Sequence, residues 1–487
     1  MAVILKRKFD LLVLKVSLDT SQSETMLSCE IEGKVDGELA QLDQRKFPAL
    51  EMNLPDRLER RATLYQGYNF QLPDEIVSWV KNTMLQENQQ QRPLWLHLVK
   101  PYGFLGMVPW ERLLQPHLNL PMLRLPNFLA NPPRESPSVL DVILCGSLPA
   151  AKESFMVMEH LSHITEGILN TVPRRTTIHV FVGQDHYHEL KNSFQQKGLL
   201  DGSVILYDPE NASSYAPLEA TLQVSDRSGR IDNPWLLWIR DSLGGRSIDI
   251  AHFVCHGYLA LDRGAMAFAE SPTRNEDRRM ARFVGAAELT AFLTQVGAWS
   301  VAFSSPENNY CEMGLRQLAD TIAQLRPGPV VHHELPLDIT CQAVIDIYRF
   351  LFGPPSEAPP LSPALFTYCH PLRLATLHGE VAKPCYSRRV IPEAKETVPS
   401  GVVLGSHMGT VTSDSVLGSI YDKEENVPGW IAASERFLEQ QNLEIHKMKL
   451  DLSGGKSRQL VGLEDTLKQI QEIVANFADN TGFGGKL

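Results

Sequence analysis

Apolar residues in this chain fall into short unbroken runs separated by stretches where they recur every three or four positions, most regularly from residue 139 to 352. The runs suit buried β-strands and the spaced stretches suit amphipathic helices. Strands are predicted over Leu140–Cys145, Thr177–Val182, Val204–Tyr207, 248–256, 298–304 and Pro329–His333. Helices are predicted over Ala150–Thr171, His186–Lys197, Pro234–Leu243, Ala286–Val296, Leu315–Leu325 and Ile339–Phe352. Strand-helix alternation of this kind requires crossover connections, so the predicted class is α/β, a mostly parallel sheet flanked by helices on both faces.

Upstream the pattern is sparser. Phe9–Val16 reads as a strand with Cys29–Val35 as a pairing partner, followed by a helix over Glu75–Gln86 and a strand over Leu94–Val99. Gly103–Gly106 predicts a turn, and Pro109-Trp110-Glu111 a helix start, because proline suits the first helical turn. Downstream, the proline-rich span from Gly353 to Pro363 breaks the order, and 387–428 holds Pro, Gly, Ser and Thr with little periodicity, as a linker or long loop does. Helical spacing returns over Trp430–Met448 and Leu460–Phe477, each with an apolar stripe. Ser453-Gly454-Gly455-Lys456-Ser457 falls short of a phosphate loop, since the earlier glycine the loop needs is replaced by Leu450.

Composition narrows the function classes. With 43% hydrophobic and 21% charged residues the chain reads as soluble and globular, long enough at 487 residues for several cores. A net charge of −11 without a Lys/Arg cluster argues against nucleic acid and against an anionic membrane as partners. Met1–Asp10 carries basic residues in a short apolar run with no small-residue cleavage site, so neither a signal peptide nor a membrane span is expected. The seven cysteines are odd in number and mostly inside apolar runs, which predicts buried reduced thiols and a cytoplasmic setting. His179, His186 and His188, and the doublet His332-His333, have no Cys or carboxylate at a ligand spacing, so core or surface histidines are expected, with no metal and no cofactor.

Candidate chemistry gathers at two strand ends. Asp249–Gly257 reads as a strand ending on His256-Gly257, the way an α/β sheet presents a reactive side chain at its carboxyl edge. The strand Ala298–Ser305 runs into Pro306-Glu307-Asn308-Asn309-Tyr310-Cys311, so the neighbouring end offers a thiol. Cys255, next to His256, is expected on the opposite face, in the core. Glu307 and Glu312 read as solvated loop acids or as the lining of a pocket for a basic side chain, and Asp338 as a helix cap.

His252–Gly257, the strand-helix order around it, Gly314–Ala319 leading to Pro329-Val330-Val331, and Leu335-Pro336-Leu337-Asp338 resemble the CHAT family, the bacterial branch of the caspase, gingipain and separase-like peptidases. Tyr68–Pro73 and the stretch ending in Pro109-Trp110-Glu111 are similar to the lead-in that many CHAT domains carry, so the resemblance spans residues 1–375. It implies a caspase-like sheet of CHAT type with a C-terminal helical appendage. The implied division is a lead-in region over 1–135, a CHAT caspase-like domain over 136–375, a linker over 376–429 and a helical region over 430–487.

The resemblance also implies a dyad in which His256 serves as base and a cysteine on the next strand end attacks the peptide carbonyl, with backbone amides around Gly257 steadying the oxyanion. One register puts Pro306 at the nucleophile position, with Ser305 as a substitute; the other uses Tyr310-Cys311-Glu312-Met313-Gly314 and makes Cys311 the nucleophile. Two functions follow. The first is a pseudopeptidase of a bacterial conflict or antiviral defence system, acting as a partner-binding or assembly subunit, with the helices at 430–477 docking a protein partner or a second copy in a homo-oligomer. The second is a regulated cysteine endopeptidase with a His256/Cys311 dyad and a polypeptide substrate.

Overall fold

A computed structural model of the chain describes residues 11–19, 24–35, 38–54, 70–86, 93–99, 103–126, 139–149, 154–215, 231–260, 263–273, 281–306, 309–326, 328–353 and 358–371. Among them the apolar runs form β1 (Leu12–Asp19), β2 (Met26–Val35), β3 (Glu38–Pro48), then α1 (Asp74–Gln86), β4 (Leu94–Leu98), α2 (Trp110–Leu118) and β5 (Met122–Arg124). There follow β6 (Val139–Ser147), α3 (Ser154–Thr171), β7 (Arg175–Val182), α4 (Gln184–Gln196), β8 (Val204–Leu206) and α5 (Pro234–Ser242). The chain continues through β9 (Ile250–Ala260), β10 (Arg263–Ala269), β11 (Ala281–Gly285), α6 (Ala286–Gln295), β12 (Ser300–Ser305) and α7 (Asn309–Leu325). It closes with β13 (Val330–Glu334), α8 (Gln342–Phe352) and β14 (Leu365–Tyr368). Local chemistry sets the ends: Asn233 caps α5 by accepting from the Trp235 amide at 2.9 Å, ahead of Pro234 in the first turn.

The class is α/β, with a largely parallel mixed sheet flanked by helices. Its strand order is β3-β2-β1-β4-β5-β14-β13-β12-β9-β6-β7-β8, and the β10–β11 hairpin leaves it through β9. Strands β8, β7, β6, β9, β12 and β13 run parallel, β14 is antiparallel to β13, and β14, β5, β4 and β1 are parallel to one another. The sheet is therefore continuous across residue 135, because β5 pairs with β14.

Two cores sandwich the main half of the sheet. One joins Ile250 and Val254 of β9 to α3, α4 and α8; the other joins Ala251, Phe253 and Cys255 to α5, α6 and α7. Alternation along β9 thus assigns even-numbered residues to the first face and odd-numbered ones to the second. Cys255 lies in the core as expected, and Cys29, Cys145, Cys341 and Cys369 are buried as well.

Several boundaries differ from the sequence reading. The histidine strand does not end at His256-Gly257: β9 runs on to Ala260 and folds back on β10, with Gly257 opposite Met266 and Ala267 opposite His256. Helix α7 begins at Asn309, not Leu315. Strands β3, β5, β10, β11 and β14 were not predicted, being polar, very short or set among glycine and proline. The predicted linker at 376–429 and the helices at 430–477 lie outside the described residues. Among the described residues, no helix is long and apolar enough to cross a membrane.

Candidate functional site

Strands β9 and β12 lie side by side in parallel, with Ser304 abreast of Val254. Two residues further along both chains come Pro306 and His256. Pro306 is buried directly after β12. His256 is 8% exposed, and burial pushes its imidazole down to about 4, so the ring is neutral at neutral pH and its surroundings oppose protonation. Ser305 is fully buried; its hydroxyl donates to the His333 carbonyl at 3.4 Å, and alternation turns it to the face of Phe303, away from the face that His256 shares with His252 and Val254.

Cys311 belongs to the first turn of α7, and its side chain lies outside the described residues, as does Glu307. What fixes the turn is the crossing of α7 over the β9–β10 hairpin. A Cβ on Gly314 would lie 2.6 Å from the Tyr258 carbonyl carbon, so only glycine lets the helix approach β9 this closely. Glu312 is not a solvated loop acid: it is buried, 3.5 Å from Arg316 and 3.7 Å from Arg112.

Behind this edge runs a chain of buried polar groups that sequence reasoning missed. The Tyr348 hydroxyl lies 2.7 Å from His252 Nδ1, and His252 Nε2 lies 2.7 Å from Ser304 Oγ. Ser304 Oγ is 2.9 Å from His333 Nδ1, and His333 Nε2 is 3.1 Å from Asp338 Oδ2. Asp338 also accepts from the Gln342 and Ala343 amides at 3.1 and 2.7 Å, the capping role expected of it. The signal was present in the sequence. His252, Ser304 and His333 are polar positions inside three apolar strands, and buried polar groups need partners. What a single strand does not show is that the three strands are neighbours.

A second buried network ties α2 to α7. Glu111, from Pro109-Trp110-Glu111, receives two hydrogen bonds of 2.7 Å from Arg124, whose guanidinium also reaches the Tyr368 hydroxyl at 3.1 Å. Burial opposes the charge of Arg124, yet Glu111 and Tyr368 hold its pKa above the usual arginine value. Arg316 donates to Glu334 and to the Met107 carbonyl, and Arg112 reaches Glu334 at 3.3 Å. Burial raises the Glu334 carboxyl above the usual range despite Arg316.

No family model matches the chain, and no curated protein is significantly similar to it.

What the edge can do follows from these placements. The buried His256 is neutral and, with its pKa lowered, a weak base, and the residue that follows β12 at the corresponding edge is Pro306, whose side chain has no nucleophilic atom. Helix α7 is the other element brought to the same hairpin, since Gly314 in its second turn packs on Tyr258, two residues after His256. Of the histidine doublet, His333 joins the buried chain. His332 lies 5.3 Å from the Phe366 ring, and burial, followed by Arg316, pushes its imidazole well below the usual value.

Proposed function

We propose that the chain is a caspase-like protein of CHAT type that keeps the peptidase scaffold without its nucleophile. In this reading it serves a bacterial conflict or antiviral defence system in the cytoplasm as a partner-binding or assembly subunit. The observation that supports the reading is the register of β12 on β9, whose last pair is Ser304 with Val254 and which, carried two residues further, sets Pro306 against His256. A dyad needs a base and a nucleophile at the ends of two neighbouring parallel strands, and the adjacency of β9 and β12 supports the scaffold while Pro306 argues against the chemistry. A fold outlasts the loss of a site, and binding is what such a scaffold retains.

The second reading, a regulated cysteine endopeptidase with a His256/Cys311 dyad, is favoured by the start of α7 at Asn309 and its packing on the hairpin that carries His256. A thiol-directed peptide probe separates the two when applied to the full chain, Cys311→Ala and His256→Ala. The pseudopeptidase reading expects no labelling that depends on either residue; labelling lost in both variants selects the endopeptidase. For the assembly role, sedimentation of the full chain is compared with Leu467→Asp/Ile470→Asp, which breaks the apolar stripe over Leu460–Phe477. Loss of association in the variant supports docking through these helices, and identical sedimentation removes it.

A further inference from the structure

The chain Tyr348–His252–Ser304–His333–Asp338 joins α8, β9, β12, β13 and the turn before α8, and its chemistry fixes its direction. A carboxylate only accepts, so His333 Nε2 donates to Asp338. A neutral ring has one proton, so His333 Nδ1 accepts from the Ser304 hydroxyl. The Ser304 oxygen then accepts from His252 Nε2, and His252 Nδ1 accepts from Tyr348. Every member is satisfied in this order, and both rings are Nε2–H tautomers.

The chain can also run in the opposite order. A second proton on His333 makes Nδ1 a donor to Ser304, and the Ser304 hydroxyl, turned away from His333, then donates to His252 Nε2. His252 answers by carrying its single proton on Nδ1 and donating to Tyr348. The balance is one proton taken up at His333 and none at His252, which moves its own proton from Nε2 to Nδ1. His252 remains neutral throughout: burial, followed by His333, pulls its pKa down to about 3. The reversed order leaves the Tyr348 proton without its acceptor in a fully buried position.

We propose that these five residues form a proton-triggered relay, in which charging of His333 beside Asp338 is passed through Ser304 as a tautomer change of His252 and a reversed hydrogen bond at Tyr348. The trigger and the readout both act on α8, whose first turn Asp338 caps and whose interior Tyr348 fills. Further groups surround the trigger. From α3 come His160, whose pKa burial and then His333 lower to about 4, together with Glu159 and His163. Cys341 reaches His160 Nδ1 at 3.5 Å, His332 precedes His333 on β13, and His252 faces it through Ser304.

The test is a pH series of long-range nitrogen–proton spectra on the full chain labelled with 15N-histidine, with His252 and His333 assigned by single substitution. The relay expects His333 to become doubly protonated and His252 to change from Nε2–H to Nδ1–H at one midpoint. A His252 that stays Nε2–H while His333 charges overturns it, as does a His333 that stays neutral until the protein unfolds. Ser304→Ala cuts the chain, so His333 should charge with His252 unmoved; a His252 that still follows overturns the proposal. Asp338→Asn keeps a capping side chain but removes the anion. Both transitions should then move together to lower pH by about one unit or more, and movement of one alone overturns the coupling.

Discussion

Removing Glu111 tests whether the charged pair it forms with Arg124 is held by electrostatics or only by packing. Both side chains are essentially inaccessible, and two hydrogen bonds of 2.7 Å join them. Opposite charges about 4 Å apart at an effective dielectric of about 20 attract by about 4 kcal/mol. Glu111→Ala leaves the guanidinium buried without that partner, so the unfolding free energy should fall by about 3–5 kcal/mol. The double variant Glu111→Leu/Arg124→Met removes both charges at similar volume. Among the described residues it strands neither former partner, since the Val108 carbonyl still accepts from the Trp110 amide at 2.9 Å and Tyr368 still donates to Asp320 at 2.6 Å, so it should cost no more than about 1–2 kcal/mol. Urea unfolding followed by tryptophan fluorescence measures both, because Trp95 and Trp110 are buried in this half of the sheet. A single variant costing under about 1 kcal/mol, or a double variant as costly as the single, refutes the reasoning.

Other outcomes are as definite. Gly314→Ala should destabilise by about 1–3 kcal/mol, despite the better helix propensity of alanine, because α7 must lift off Tyr258; an unchanged urea midpoint would show that the contact is slack. His256 has a folded pKa depressed to about 4, so its contribution is complete above the unfolded histidine pKa and is lost as pH falls from there through 4. His256→Gln should therefore flatten the acid limb of stability against pH by up to about 3 kcal/mol, and a parallel limb in wild type and variant would exclude this histidine as its source. Burial pushes the Cys29 and Cys341 thiols up to about 12. With Cys145, Cys255 and Cys369 they should stay unlabelled by a thiol reagent in the native protein, as mass spectrometry of the labelled peptides would report.

How much of this the sequence carried differs by element. The long parallel strands and their helices are legible because β6, β7, β9 and β12 are buried on both faces and read as unbroken apolar runs. Strand β3, Glu38-Leu-Ala-Gln-Leu-Asp-Gln-Arg-Lys-Phe-Pro, is an edge strand whose polar residues mask its period, and β5 and β14 are too short to register one. Gly257 reads as a strand end because glycine punctuates turns, yet here it sits inside an antiparallel ladder. His256, Ser305 and Pro306 were legible as residues near one sheet edge, but the face each one uses depends on register. The partnership of His252, Ser304 and His333 depends on strand order, which no local pattern encodes.

The reversal of direction between β13 and β14 gives the sheet two opposite rims. Loops after β9 and β12 open on one rim, whereas those after β1, β4, β5 and β14 open on the other. Of the N-terminal strands, β2 runs antiparallel to β1, so the end of β2 and the start of β3 lie at the rim of His256, and among the described residues this region also meets that half sideways, through α2 and the Met107 carbonyl against α7. Antibody fragments or crosslinkers raised against one rim should leave the other open, which makes the molecule two-ended for anything that binds it.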